Sequence, residues 1–159
     1  MNMEYEEIKA LPAAERAKEL FCMGYNCAQA VAGAFAEQVN MPLETLARTV
    51  SALGGGMCRL RQTCGAVSGA MVILGLLEGY DEAEDLIGKK MLYAKGQLMA
   101  IPFQEKFGSF QCRELLGLPA GQEPSPEPTV RTREFYLQRP CLKFIMEMAA
   151  QLEKTLAEV

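Results

Sequence analysis

Apolar positions along this chain recur at intervals of three and four residues, and no stretch alternates polar and apolar residues long enough to read as a strand. The pattern predicts an all-α protein. In residues 4–23, Leu20, Phe21 and Met23 lie on one stripe behind a charged face and Pro12 suits a first turn, so a helix is expected over 13–23. Gly24 is suited to end it, and Asn26 to cap a second helix over 27–39 with Cys27 in its first turn. After a turn at Asn40, Pro42 with Leu43, Leu46, Val50 and Leu53 predicts a third helix, which Gly54 to Gly56 stop. Residues 64–78 are nearly all apolar or small, which marks a central helix buried on all sides, with Thr63 as its cap and Cys64 in its first turn. Gly65, Gly69, Ala66 and Ala70 leave one side of it free of bulk, so that a neighbour can approach closely.

Asp81 is the expected cap of a fifth helix, in which Ala83, Leu86, Ile87, Met91, Leu92, Lys95 and Leu98 follow a helical period up to about Pro102. Ser109 can cap a short segment that holds Cys112 in its first turn and ends at Gly117. Residues 118–133 carry four prolines and almost no apolar side chains, which predicts an extended surface connection. From 134 to 159 the composition is helical again, with a restart or kink at Pro140-Cys141 and an inner stripe of Leu142, Ile145, Met146, Ala149, Leu152 and Leu156. The expectation is one domain spanning 1–159, a bundle of about six helices around the central one.

Composition narrows the chemistry. With 159 residues, half of them apolar, and a net charge of -4, the chain is neither a disordered segment nor a nucleic-acid binder. Its longest apolar run, residues 66–77, falls well short of the roughly 20 residues that cross a membrane. The acidic amino end, MNMEYEEIKA, has none of the marks of a secretory signal, so a cytoplasmic location is expected. There are six cysteines, which a reducing cytoplasm keeps mostly as thiols, and no histidine. The commonest general base and metal ligand is thereby removed, and any metal site must be mainly thiolate.

Cys27, Cys64, Cys112 and Cys141 each fall in an expected first helical turn behind a cap or a helix-starting proline. Free N–H groups and the positive end of the helix dipole favour a thiolate there by about 0.3–1 kcal/mol. The plain alternative for any one of them is a small buried hydrophobe, and Cys22, beside Phe21, is read that way. No C-x-x-C pair exists, which argues against the zinc-ribbon and ferredoxin patterns but leaves a thiolate site built from separate helices open. Arg59, Arg61 and Arg113 are candidates to lower thiol pKa values or to receive an anion, or are solvated loop charges. Gly54, Gly55 and Gly56 read as an anion-binding nest or as a helix stop.

The segments Gly24-Tyr-Asn-Cys27-Ala-Gln-Ala, Gly54-Gly-Gly56 with Cys64-Gly65-Ala66-Val-Ser-Gly69, Phe107-Gly-Ser-Phe-Gln-Cys112, and Pro140-Cys141 resemble the redox-active protein family named for its pattern C_GCAxxG_C_C. The resemblance spans nearly the whole chain. It implies that the family's four cysteines are Cys27, Cys64, Cys112 and Cys141, and that Cys22 and Cys58 lie outside the pattern. It implies a redox role and names no substrate. The leading expectation is thiol and disulfide exchange, or electron transfer, between Cys64 and at least one of the other three, with a redox protein or a small thiol or electron acceptor as partner. Two alternatives stay open. The same four residues can be an all-thiolate ligand set for an iron–sulfur cluster or another metal, or the chain can be a non-catalytic helical binding module, monomeric or oligomeric.

Overall fold

The computed structural model describes residues 4–158, so Met1 to Met3 of the acidic amino end and Val159 of the last expected helix lie outside the described residues. Nine α-helices and no strand are found among them, in the order α1 (Tyr5–Ile8), α2 (Ala13–Cys22), α3 (Cys27–Gly33), α4 (Leu43–Thr49), α5 (Gly65–Glu78), α6 (Leu86–Phe107), α7 (Cys112–Leu115), α8 (Arg133–Gln138) and α9 (Cys141–Ala157). The all-α expectation holds. The helix number exceeds six because α1 and α7 are separate short helices and the expected last helix breaks between Gln138 and Cys141. The break follows from Pro140, which has no N–H to give to a continuing helix and serves as the N-cap of α9.

Helix α3 lies against α5 and against α2, and α9 packs along α2, α5 and α6. The side chains buried between them include Leu20, Val31, Phe35, Ile73, Met99, Ile145, Met148 and Leu152. The close approach expected of the glycines in α5 is made by α3. A Cβ on Gly69 would stand 2.7 Å from the Ala28 carbonyl oxygen, and a Cβ on Gly65 would overlap the Cys27 sulfur. With no side chain at either position, the two backbones can touch.

Several expected details change, beginning with the helix expected over 27–39, which ends at Gly33 and continues as turns. Helix α5 buries seven of its first ten residues, but Ser68, Met71 and Val72 are half-buried and Leu76 and Leu77 at its far end are exposed, so it is not enclosed on all sides. Helix α6 begins behind Asp85, whose carboxylate accepts the Gly88 N–H at 2.8 Å, and not behind Asp81. It runs through Pro102 to Phe107 and ends on Gly108 in the left-handed conformation. Its buried face is Gly96, Met99, Ala100 and Phe103, while Leu86, Ile87, Met91 and Leu98 of the expected stripe point outward. No helix among the described residues is long and apolar enough to cross a membrane.

Candidate functional site

The start of α3 is fixed by a reciprocal cap. The Asn26 side chain accepts the Gln29 N–H at 2.9 Å and the Gln29 side chain accepts the Asn26 N–H at 3.0 Å. The spare amide protons of both residues reach carbonyls of the next segment, Asn26 to Ser51 and Gln29 to Ala47. Cys27, the first residue of α3, is thereby held beside the chain that enters the glycine run. Its sulfur sits against Gly65, where any side chain would displace it.

After Gly54, φ is positive at Gly55, Gly56, Met57, Cys58 and Arg59 in succession, and again at Arg61. For residues with a Cβ this conformation is unfavourable by about 1–2 kcal/mol each, and it is visited by single residues far more often than by runs. Backbone hydrogen bonds from Cys58 to Ala52 (2.7 Å), Arg61 to Gly55 (3.1 Å) and Gln62 to Gly56 (2.9 Å) hold the loop in it. The glycine run therefore admits both the unusual angles and the close neighbours expected of it: a Cβ on Gly54 would overlap the Asn26 amide, and one on Gly56 would stand 2.8 Å from Cβ of Cys112.

Beyond the loop, residues 61–64 pair with residues 110–113. The Cys64 N–H donates to Phe110 at 2.7 Å, Cys112 to Gln62 at 2.6 Å and Arg113 to Arg61 at 3.2 Å, around an isolated antiparallel bridge of Thr63 with Gln111. This pairing, absent from any periodicity, is what carries Cys112 to Cys64. It also displaces the expected caps. Cys64 is itself the N-cap of α5, not a residue of its first turn, and Thr63 caps nothing. Ser109 accepts the Gln111 N–H and bonds Glu114, while Gln111 is the N-cap of α7 and Cys112 its first residue. Cys141 opens α9 directly after Pro140, as expected.

All four cysteines line one cavity of about 420 Å³, and Cys58 lines it too. Cys64 and Cys112 are buried, Cys27 and Cys141 half-buried, and all six cysteines of the chain are free thiols. Cys22 is exposed, not the buried hydrophobe expected, and does not line the cavity.

The dipole argument predicts lowered thiol pKa values, and at Cys27, Cys64 and Cys141 the structure reverses its sign. Burial pushes the Cys27 thiol up, against N–H groups of Gly55, Ala28 and Gly65 that favour its thiolate. Burial also pushes Cys64 up, and Cys141 from 9.0 up to about 11. After burial, the largest opposition to a thiolate at Cys64 and at Cys141 is the charge that Cys27 would carry, so Cys27 is electrostatically central to the group. A helix amino end worth about 0.3–1 kcal/mol does not outweigh that desolvation and mutual repulsion.

The cavity wall also holds Arg59, Arg61, Arg131 and Arg139, and not one aspartate or glutamate. Arg61 donates to the Cys112 sulfur at 3.6 Å. Arg59 donates to the Glu127 carbonyl, and its Nε is buried with no hydrogen-bond partner. Arg131 donates to the carbonyls of Phe21 (3.1 Å) and Tyr25 (3.0 Å) and lies over the rings of Phe21 and Phe135 at 4.4 and 4.7 Å. Arg139 donates to Thr129, and its charge favours the Cys141 thiolate. Arg131, Arg139, Phe135 and Phe144 are cavity residues that the sequence reading missed, and Arg113 is not part of the lining. The connection 118–133 builds no core, as expected, yet Pro126, Pro128 and Thr129 form one side of the cavity. The signal available for Arg131 and Arg139 was weak: two arginines flanking an aromatic pair next to Pro140.

The donor set is right for a soft metal, but among the described residues no three Cys, Asp or Glu side chains are placed to hold one metal ion. What the arrangement can do chemically as it stands is bring several thiols to one solvent-accessible cavity under a positive field. Neither the curated proteins nor the solved structures contain a match to the chain. Over residues 25–155, which include all four cavity cysteines of the pattern, the sequence matches the family model described as "Putative redox-active protein (C_GCAxxG_C_C)", and the chain belongs to that family.

Proposed function

We propose that this protein is a cytoplasmic thiol redox protein that cycles between two cavity thiols and one disulfide, with Cys27 and Cys64 as the exchanging pair. The observation that carries the reading is the convergence of Cys27, Cys64, Cys112 and Cys141, from four separate helix starts, on one cavity. Two facts favour Cys27 with Cys64. The Cys27 sulfur rests on Gly65, the residue after Cys64, and Cys27 is the strongest charged influence on the Cys64 thiol. The backbone N–H groups of Gly55, Ala28 and Gly65 favour the Cys27 thiolate, and they are the means by which it can carry a transient negative charge. In the oxidising direction the two thiols give up two electrons and two protons to a redox partner or a small disulfide acceptor, and the S–S bond forms.

The test is thiol counting by alkylation and mass mapping, before and after treatment with a stoichiometric disulfide oxidant. The expected result is the loss of two titratable thiols with a Cys27–Cys64 linked peptide pair, reversed by reductant and absent in Cys27→Ser and Cys64→Ser. Six thiols that stay unlinked under both conditions overturn the reading. A link between two other cavity cysteines overturns the assignment of the pair.

A further inference from the structure

The thiols do not account for the rest of the cavity wall. Its four arginines come from two remote parts of the chain, Arg59 and Arg61 from the left-handed loop and Arg131 and Arg139 from the region around α8. None of them forms an ion pair with a carboxylate among the described residues. The negative charges that favour the Arg59 guanidinium, a Cys112 thiolate and then exposed Glu127, are outweighed: burial, then Arg61, then Arg139 push it below its ordinary pKa. Like charges gathered in a partly dry cavity repel one another and call for an anion between them. The unpartnered buried Nε of Arg59 adds a donor that nothing in the protein satisfies. Leu115, Leu116, Phe135 and Phe144 give the cavity apolar lining, with Phe135 in contact with the guanidinium groups of Arg131 and Arg139. A volume of about 420 Å³ is in the range of small-molecule sites.

Resting on the thiol redox reading above, we propose that the cavity takes a small organic disulfide bearing carboxylate groups, its charges held by Arg59, Arg61 and Arg139 and its body against Phe135 and Phe144. A cavity thiol loses its proton to water and attacks one sulfur of the bound disulfide. The substrate S–S bond breaks, one half leaves as a thiolate, and a mixed disulfide forms on the protein. A second cavity thiol, deprotonated in turn, attacks the protein sulfur of that mixed disulfide and releases the other half. The substrate gains two electrons and two protons, the protein gains one disulfide, and the released thiolates take up protons from water.

The probes are 5,5′-dithiobis(2-nitrobenzoate), an aromatic disulfide with two carboxylates, and 4,4′-dithiodipyridine, uncharged at neutral pH. Rate constants for both are measured on the reduced Cys22→Ser protein, so that the exposed thiol outside the cavity is silent, and each is divided by that of a neutral small thiol. The expected preference for the anionic reagent is about tenfold in low salt, as for an on-rate raised by a local field, although the whole protein is itself negative. It shrinks toward one in about 1 M salt, where the screening length is about 3 Å. Arg59→Gln and Arg139→Gln each lower the anionic-to-neutral ratio by about threefold or more. The salt dependence of the Cys22→Ser protein needs no arginine variant to fold.

Reaction with the neutral reagent but a normalised ratio at or below one, or a ratio that salt and both arginine changes leave alone, overturns the anionic substrate and leaves the thiol chemistry standing. Failure of the cavity thiols to react with either reagent overturns the redox reading together with the substrate.

Discussion

Each cysteine of the site is held by a neighbour that has nothing to do with sulfur chemistry, and the sharpest case is Gly65. A Cβ there would overlap the Cys27 sulfur and stand 2.9 Å from the Leu53 carbonyl oxygen, so Gly65→Ala must push α3 away from α5 or drive Cys27 out of its place. Gly69→Ala meets backbone instead, the Ala28 carbonyl oxygen at 2.7 Å. Overpacking of this kind is expected to destabilise by about 1–3 kcal/mol in each case, read as a lower midpoint in urea unfolding. Gly75→Ala in the same helix meets nothing within 4 Å and is expected to stabilise by about 0.4–1 kcal/mol. If all three changes cost the same, the glycines are not there to let α3 in. The glycine spacing was legible in the sequence, and so was Asn26 as a cap, though not the return bond from Gln29. The sign of the thiol pKa changes was not, because a dipole can be read from a helix start, whereas desolvation depends on what folds over it.

At the scale of elements, α2 and α9 start at Pro12 and Pro140 and α5 ends at Glu78, almost as read. Helix α6 shows where that reading stops. It carries apolar residues on more than one side, so period alone selected Leu86, Ile87, Met91 and Leu98, while the packed face is Met99, Ala100 and Phe103 beside Gly96. Gly96 decides it. Its missing side chain lets Met71 of α5 come within 3.3 Å of the position a Cβ would take. The two faces are separable by mutation: Met99→Ala is expected to cost about 2–5 kcal/mol as a core truncation. Leu86→Ser and Ile87→Ser, both 75 % exposed, are expected to stay within about 0.5 kcal/mol of the parent. Denaturant midpoints measured on the three variants check it, and a large loss at Leu86 or Ile87 would mean that this face is covered. The pairing of residues 61–64 with 110–113 had no legible signal, since a single bridge is too short to show alternation.

For the molecule as a whole, the site is assembled by long-range closure, and Arg131 is a clasp in it. It joins the proline-rich connection to the carbonyls of Phe21 and Tyr25 at the end of α2, where a cation is favoured, and it stacks on Phe21 and Phe135. Arg131→Ala is expected to cost about 1.5–3 kcal/mol and to open residues 118–132 to proteolysis, which limited digestion followed by mass spectrometry checks. Closure has a second consequence, through pH. An unfolded chain ionises its thiols near pH 9, whereas native Cys141 keeps its proton up to about 11 and Cys64 is held protonated still more strongly. Between those limits the unfolded state binds fewer protons than the native one, so stability is full below pH 9 and falls as pH rises. For Cys141 alone the loss is at most about 2–3 kcal/mol by pH 11. Unfolding midpoints of the parent and of Cys141→Ser, measured from pH 7 to 10.5, are therefore expected to diverge in the alkaline range, the serine variant falling less steeply. Lysines and tyrosines titrate in both proteins and cancel in the difference. Parallel alkaline slopes would mean that Cys141 is not shielded from water, and the cavity would then lack the dry wall that couples its thiols to one another.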